Sequence, residues 1–380
     1  MSKKSSEILD DPMEVEGEPQ KNVEHHGDDS CLLIPQLPRD TSIHCLLQLS
    51  RSHYSAIAAL NRTFRSLIKT GELYQLRREM GIIEHWIYFS CDVLKWEAFD
   101  PNHDRLMQLP EMSSNTCFML SDKESLVVGT ELLVFGREIT GPAIYKYSIT
   151  TNSWLKGMNM NTQRCLFGSA SLGEIAILAG GCDQFGNILS SSELYNSDTG
   201  TWETLPNMNT PRKMCSAVFM DGKFYVLGGV GVDKTTQLTC GEEFDLKTRK
   251  WRKIPYMCPP RNGGDGANSV GGEAPPLIAV VNNALFVADY AQQVVKRYVK
   301  DKNAWVTIGN LPSRVTSLNG WGMAFRSCGD NLVVIGGPSL HGGMATEVNA
   351  WAVDDGTPEW NLLAIIQSGS FVFNCAVMGC

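Results

Sequence analysis

The stretch from 215 to 255, CSAVFMDGKFYVLGGVGVDKTTQLTCGEEFDLKTRKWRKIP, holds two apolar strands, a Gly pair, a polar loop, an aromatic strand, a tight turn and a Trp strand. The unit recurs. Trp154, Trp202, Trp251, Trp305 and Trp360 are separated by 48, 49, 54 and 55 residues. Seven residues before the first four stand Tyr147, Tyr195, Phe244 and Tyr298, and Gly pairs occur at Gly180-Gly181, Gly228-Gly229 and Gly336-Gly337. A period near fifty residues with four short strands per unit predicts a propeller, because each small twisted sheet has two apolar faces and buries them only against its neighbours. The large aromatics fill the widening gap between blades, at about 1.5–3 kcal/mol or more each. The Gly pairs suit strand ends where backbones crowd or φ turns positive.

Units can be counted along the chain. His85–Phe89, a strand ending in Phe99-Asp100, and Leu106–Pro110 supply strands two to four of a first unit, with Leu106 in the Trp slot. Further units span about 115–158, 163–208, 212–257, 277–311 and 319–366. The first unit lacks its first strand, and the lone strand after Gly369 is the missing one. The expectation is therefore a mainly β chain: a six-bladed propeller over 84–380, closed by a C-terminal strand that removes the exposed edge.

Upstream the periodicity changes. Residues 32–81 read as helices, with Asp40 or Thr41 as a first cap, Ser52 as a second, Gly71 as a stop and Glu72 opening a short last helix. About fifty residues make a thin core, so a partner surface is expected there. Residues 1–30 carry nine acidic and three basic side chains, a net of −6 out of −8, and no periodicity, which predicts a disordered acidic tail. The tail lacks the basic-then-apolar layout of a secretory signal.

These features bound function. The charge balance gives no nucleic-acid partner, and no apolar run reaches the length of a membrane span. Twelve scattered cysteines without Cys-x-x-Cys fit a reducing compartment. The seven His include no pair at zinc-site spacing. The Gly-rich stretches lack a phosphate-loop ending. No metal, cofactor or catalytic set is expected.

A binding face has more support. Arg164, Arg212 and Arg261 each follow a blade Trp by ten residues, and Arg314 follows by nine. Recurring positions in a closed ring face the same end of the channel. Such arginines would either attract an anionic group on a partner or hydrogen-bond loop carbonyls and hold the ring together. Longer loops in the third, fourth and sixth units carry Phe185, Lys234 and His341, and propeller binding sites lie on such loops.

The stretch Leu37-Pro38 through Ile43, Leu46 and Leu49, then Leu60, Phe64 and Leu67-Ile68, resembles an F-box, although that family commonly carries Trp near Phe64. The Gly pairs, the aromatic-to-Trp spacing and the run Pro206, Met208, Arg212 resemble kelch repeats. Unit five departs with Ala288-Asp289, unit two with Gly136-Arg137 and unit one with Ser90-Cys91 in the Gly-pair slot. Together they resemble the plant F-box/kelch-repeat family, with an F-box domain over 31–81 and a kelch propeller over 84–380. That resemblance implies a non-catalytic substrate receptor of a Skp-cullin-F-box ubiquitin ligase in the nucleus, the cytoplasm or both. Leu37, Pro38, Ile43, Leu46, Leu49, Leu60 and Phe64 would dock a Skp-type adaptor, and through it a cullin, while the propeller holds a target protein. The alternative is a kelch interaction scaffold without ubiquitination, its helical segment being a cap.

Overall fold

The computed structural model describes residues 33–93, 95–233, 236–259, 272–337, 345–354, 356–367 and 369–380. The expected acidic tail over 1–30 lies outside the described residues, as do Arg261, Lys234 and His341. The chain divides into two compact units, Met1–Cys45 and Leu46–Cys380. The helices after Leu46 fall in the same unit as the propeller.

Six four-stranded antiparallel sheets make the propeller. Blade I contains β1 (His85–Asp92), β2 (Lys95–Asp100) and β3 (Arg105–Gln108). Blade II follows with β4 (Glu124–Val128), β5 (Glu131–Glu138), β6 (Gly141–Ser148) and β7 (Ser153–Lys156). Blade III has β8 (Gly168–Leu172), β9 (Ile175–Ala179), β10 (Ser192–Asn196) and β11 (Thr201–Leu205); blade IV has β12 (Ser216–Met220), β13 (Lys223–Leu227), β14 (Gly241–Asp245) and β15 (Lys250–Ile254). Blade V is β16 (Ile278–Val281), β17 (Ala284–Asp289), β18 (Val294–Val299) and β19 (Ala304–Asn310). Blade VI is β20 (Ala324–Cys328), β21 (Asn331–Gly336), β22 (Thr346–Ala352) and β23 (Asn361–Ile366). The last strand, β24 (Asn374–Gly379), pairs with β1 from His85↔Gly379 to Ser90↔Asn374, so the C-terminal segment supplies the strand blade I lacks. The inner strands contact one another in the closed order β24, β4, β8, β12, β16, β20 and back to β24.

The aromatic-to-Trp spacing is a register. Tyr147↔Trp154, Tyr195↔Trp202, Phe244↔Trp251 and Tyr298↔Trp305 are directly opposed cross-strand partners, with ring centroids 5.3, 4.8, 4.9 and 5.3 Å apart. Phe99↔Leu106 occupies the same register in blade I. Each indole also reaches the preceding blade. The Nε1–H of Trp154, Trp202, Trp251, Trp305 and Trp360 donates to the carbonyls of Pro110, Met158, Pro206, Met257 and Asn310 at 2.7–3.1 Å. Apolar clusters fill the seams: Ile177, Ala179, Phe224 and Phe244 between blades III and IV, and Phe286, Phe325 and Trp351 between V and VI.

The second unit also holds α2 (Tyr54–Leu60), α3 (Arg62–Lys69) and α4 (Glu72–Glu79), and the helix Arg39–Leu47 precedes them as α1. Ser50, rather than Ser52, caps the turn Arg51–His53 that leads into α2. Asn61 accepts the Phe64 amide and starts α3, a break that the continuous apolar stripe concealed. Gly71 takes φ +81 between α3 and α4, the stop expected there. A fifth helix, α5 (Thr116–Leu120), was not expected; its buried Phe118 packs on Tyr145 at 4.5 Å and occupies the space beside Gly136.

Candidate functional site

Two of the recurring arginines, Arg164 and Arg212, form a structural device. Arg164 donates from Nη1 to the carbonyls of Gly180 and Ser191 at 3.0 and 2.7 Å, and from Nη2 to Glu193 at 2.7 Å. Arg212 repeats this one blade on, reaching Gly228 O, Cys240 O and Glu242 at 2.9, 3.0 and 3.0 Å. All four charged side chains are 0 % exposed. Each carboxylate also takes two loop amides, Asn161 and Thr162 on Glu193, Asn209 and Thr210 on Glu242. Of the two roles open to Arg164 and Arg212, they therefore fill the second, holding the ring together, and the target-face assignment is corrected for both. Arg314 differs: it pairs with Glu347 at 3.0 Å while 69 % exposed.

The glutamate partners escaped the sequence reading. Their signal was available, since Glu193 and Glu242 stand two residues before Tyr195 and Phe244 in successive units. Blade V inverts the polarity. Lys296 holds the glutamate position, and its amine meets Asp289 at 2.7 Å. That pair accounts for an acidic residue where blades III and IV carry glycine. In blades III and IV both glycines of the pair have positive φ, and a Cβ on Gly181 would lie 2.4 Å from the Cys165 carbonyl.

A channel of about 1650 Å³ runs through the ring, lined by all six inner strands. At one mouth α4 brings in Arg78, whose guanidinium pairs with Glu174 in the β8–β9 turn at 2.6 Å. His85 lines this end, and burial, then the Arg51 charge, hold it below its ordinary value, so its imidazole is neutral near neutral pH. At the other mouth the lining is aromatic. Trp321, Phe371 and Phe373 come from the connections before β20 and β24, and the two Phe rings meet at a tilt with centroids 4.8 Å apart. All three are exposed. Phe185 stands on the same face, 80 % exposed, at the tip of a turn in which Asp183 accepts the Phe185 and Asn187 amides at 2.9 Å. Hydrogen bonding by Asn187 draws the Asp183 carboxyl below its usual range. Exposed aromatics with few rotamers are what a protein-binding surface uses. Loop length singles out Phe185 in the sequence, whereas Trp321, Phe371 and Phe373 lie outside the repeat and carry no such mark.

In the helical segment the expected docking residues Ile43, Leu46 and Phe64 are buried. Leu37 is half-buried and Pro38 exposed. Leu49 and Leu60 are 41 % and 72 % exposed. A buried polar network joins α4 and the turn before α2 to the segment entering β1. Arg77 donates to Leu47 O, Leu49 O and Glu84 at 3.0, 2.6 and 2.8 Å, while Glu84 accepts the Arg51 amide at 3.0 Å. The Arg51 guanidinium lies 4.2 Å from the Trp86 ring. Among the described residues no group of three or more His, Cys, Asp or Glu is placed to hold a metal ion, and no helix is long and apolar enough to cross a membrane.

The family model for the Kelch motif matches residues 163–209 and 211–257. The F-box/kelch-repeat protein At1g26930 of Arabidopsis thaliana is 57% identical over 93% of this chain and 84% of its own length. SKIP11, an F-box/kelch-repeat protein of the same plant, is also 57% identical, over 93% of this chain and 76% of its own. The F-box/kelch-repeat protein At3g27150 is 36% identical across 92% and 84%. Among solved structures YjhT superposes with a TM-score of 0.52 at 15% identity, over 70% of this chain and 91% of its own, a likeness of fold alone. With a 57% identical relative covered over most of its length, the chain belongs to the F-box/kelch-repeat protein family.

Proposed function

We propose that this protein is a substrate-recognition subunit of a Skp-cullin-F-box ubiquitin ligase. Its helical segment docks a Skp-type adaptor, and its propeller holds a target protein near the ubiquitin-charged enzyme. The contribution is proximity, and other subunits make and break the bonds. Family membership carries this reading, because a fold alone names no function. The aromatic mouth at Trp321, Phe371, Phe373 and Phe185 supports a protein target. In this proposal the adaptor contacts fall on the accessible apolar positions, Leu49 and Leu60 in one unit and Leu37 and Pro38 in the other. Its place of action is the nucleus, the cytoplasm or both.

A pull-down of the full chain with a Skp-type adaptor tests the reading. Wild type is compared with Leu37→Ala/Pro38→Ala and, separately, with Leu60→Ala. Truncating an interface anchor costs on the order of 2 kcal/mol, over tenfold in affinity. Binding that both variants weaken supports the receptor. A folded wild type that captures no adaptor would leave a kelch interaction scaffold.

A further inference from the structure

We propose that Cys165 and Cys182 form a reversible thiol–disulfide site at the aromatic mouth of the channel. Their sulfurs lie 3.5 Å apart. The backbone already has the geometry a bond needs. The Cys165 amide donates to the Cys182 carbonyl at 3.0 Å, and the Cys182 amide returns to Cys165 at 2.8 Å. Residues exchanging both bonds across an antiparallel pair hold their Cα atoms roughly 5.5 Å apart, inside the roughly 4.4–6.8 Å that a disulfide spans. Closure therefore requires side-chain rotation and no backbone travel.

The two sulfurs differ in access. Cys165 is exposed and lines the channel, whereas Cys182 is buried beside it. This fixes the order of events with a small disulfide such as oxidised glutathione. The Cys165 thiolate attacks one glutathione sulfur, and the other leaves as a thiolate. Cys182 then loses its proton and attacks the Cys165 sulfur, expelling the second glutathione thiolate. The cysteine pair gives up two electrons and two protons, and one glutathione disulfide becomes two glutathione thiols. A reducing thiol reverses each step. Exposed cross-links of this kind are the labile ones.

The pair sits where a cross-link matters. Cys182 pairs with Ile188 across the stem of the hairpin that carries Phe185 at its tip. Cys165 directly follows Arg164, which holds the carbonyls of Gly180 and Ser191. A covalent bond would tie the stem of an exposed aromatic loop to the arginine-anchored segment of the same blade. The hydrogen bond to Cys182, then burial, then the Cys182 and Glu124 charges raise the Cys165 thiol, while Lys213 lowers it. Exchange is therefore slow near neutrality and quickens as pH rises.

The site is chemical and does not depend on the ligase reading. The full chain is equilibrated in glutathione buffers from reducing to oxidising, trapped with iodoacetamide and digested with trypsin. No Lys or Arg lies between Cys165 and Arg212, so both sulfurs fall on the peptide 165–212. The expected result is complete loss of both alkylation sites from that peptide in oxidising buffer, with a mass lower by two hydrogens than the dithiol, restored by dithiothreitol. The Cys182→Ser variant should instead carry one glutathione on Cys165. The proposal is overturned if folded wild type keeps both sites alkylated at an oxidising ratio, or if its Cys165 stops at the glutathione adduct.

Discussion

Replacing Arg212 by Ala would leave the Glu242 carboxylate in the interior without its cation and take the guanidinium bonds from the Gly228 and Cys240 carbonyls. Breaking a buried pair in this way costs on the order of 3–5 kcal/mol, so Arg212→Ala should lower the melting temperature sharply. Arg212→Lys should rescue little, because an ammonium cannot reach two carbonyls and a carboxylate with a planar fork. A variant that melts like wild type would return Arg212 to the target face. Glu124 supplies a pH signature. Burial, opposed by the Leu166 and Phe167 amides, pushes its carboxyl from 4.5 up to about 8. The folded form thus binds the proton more tightly than the unfolded chain. Stability should fall as pH rises between about 4.5 and 8, then level off. Against wild type, Glu124→Gln should gain melting temperature progressively across that window. A difference constant with pH would mean that the carboxyl is ionised throughout. Trp321→Ala and Phe371→Ala should weaken target capture at an unchanged melting temperature, since both rings are exposed.

At the scale of the blade, the Trp does two jobs that can be separated. It packs on its cross-strand aromatic, and its indole N–H holds a carbonyl of the preceding blade. Trp154→Phe keeps the first job and loses the second, leaving the Pro110 carbonyl without its indole donor. The expected cost is about 1 kcal/mol, read as a lower denaturant midpoint with an unchanged slope. This element was legible because repetition amplifies it: four Trp, each seven residues after an aromatic, leave a single register to choose. The same repetition misled the site reading. A residue that recurs from one blade to the next can serve what those blades share, as Arg164 and Arg212 do. The exposed aromatics at the channel mouth do not recur: Trp321, Phe371 and Phe373 sit in irregular connections where no periodicity marks them. Asn61 shows a third limit, since a cap inside an apolar stripe is invisible until the helix is seen to break.

For the whole molecule, the expected six-bladed ring and its closing strand are both present. The helical segment was read as a separate domain because its periodicity differs from the propeller's. Long-range side chains tie the two together: Arg77, Arg51 and Glu84 link α4 and the turn before α2 to the start of β1, and spacing rules carry no trace of such contacts. Arg77→Ala should loosen those helices first, giving fast amide exchange in α2–α4 while the blade interiors stay protected. The pairing of β24 with β1 has a consequence for biosynthesis. The two strands leave the ribosome nearly three hundred residues apart, which at typical elongation rates is roughly 15–60 s. Throughout that interval blade I offers an open strand edge to anything that pairs with it, so the chain's most dangerous moment comes before β24 is made. Chaperone dependence during synthesis should track the delay to β24, and a slowed codon run near 370 would lengthen it.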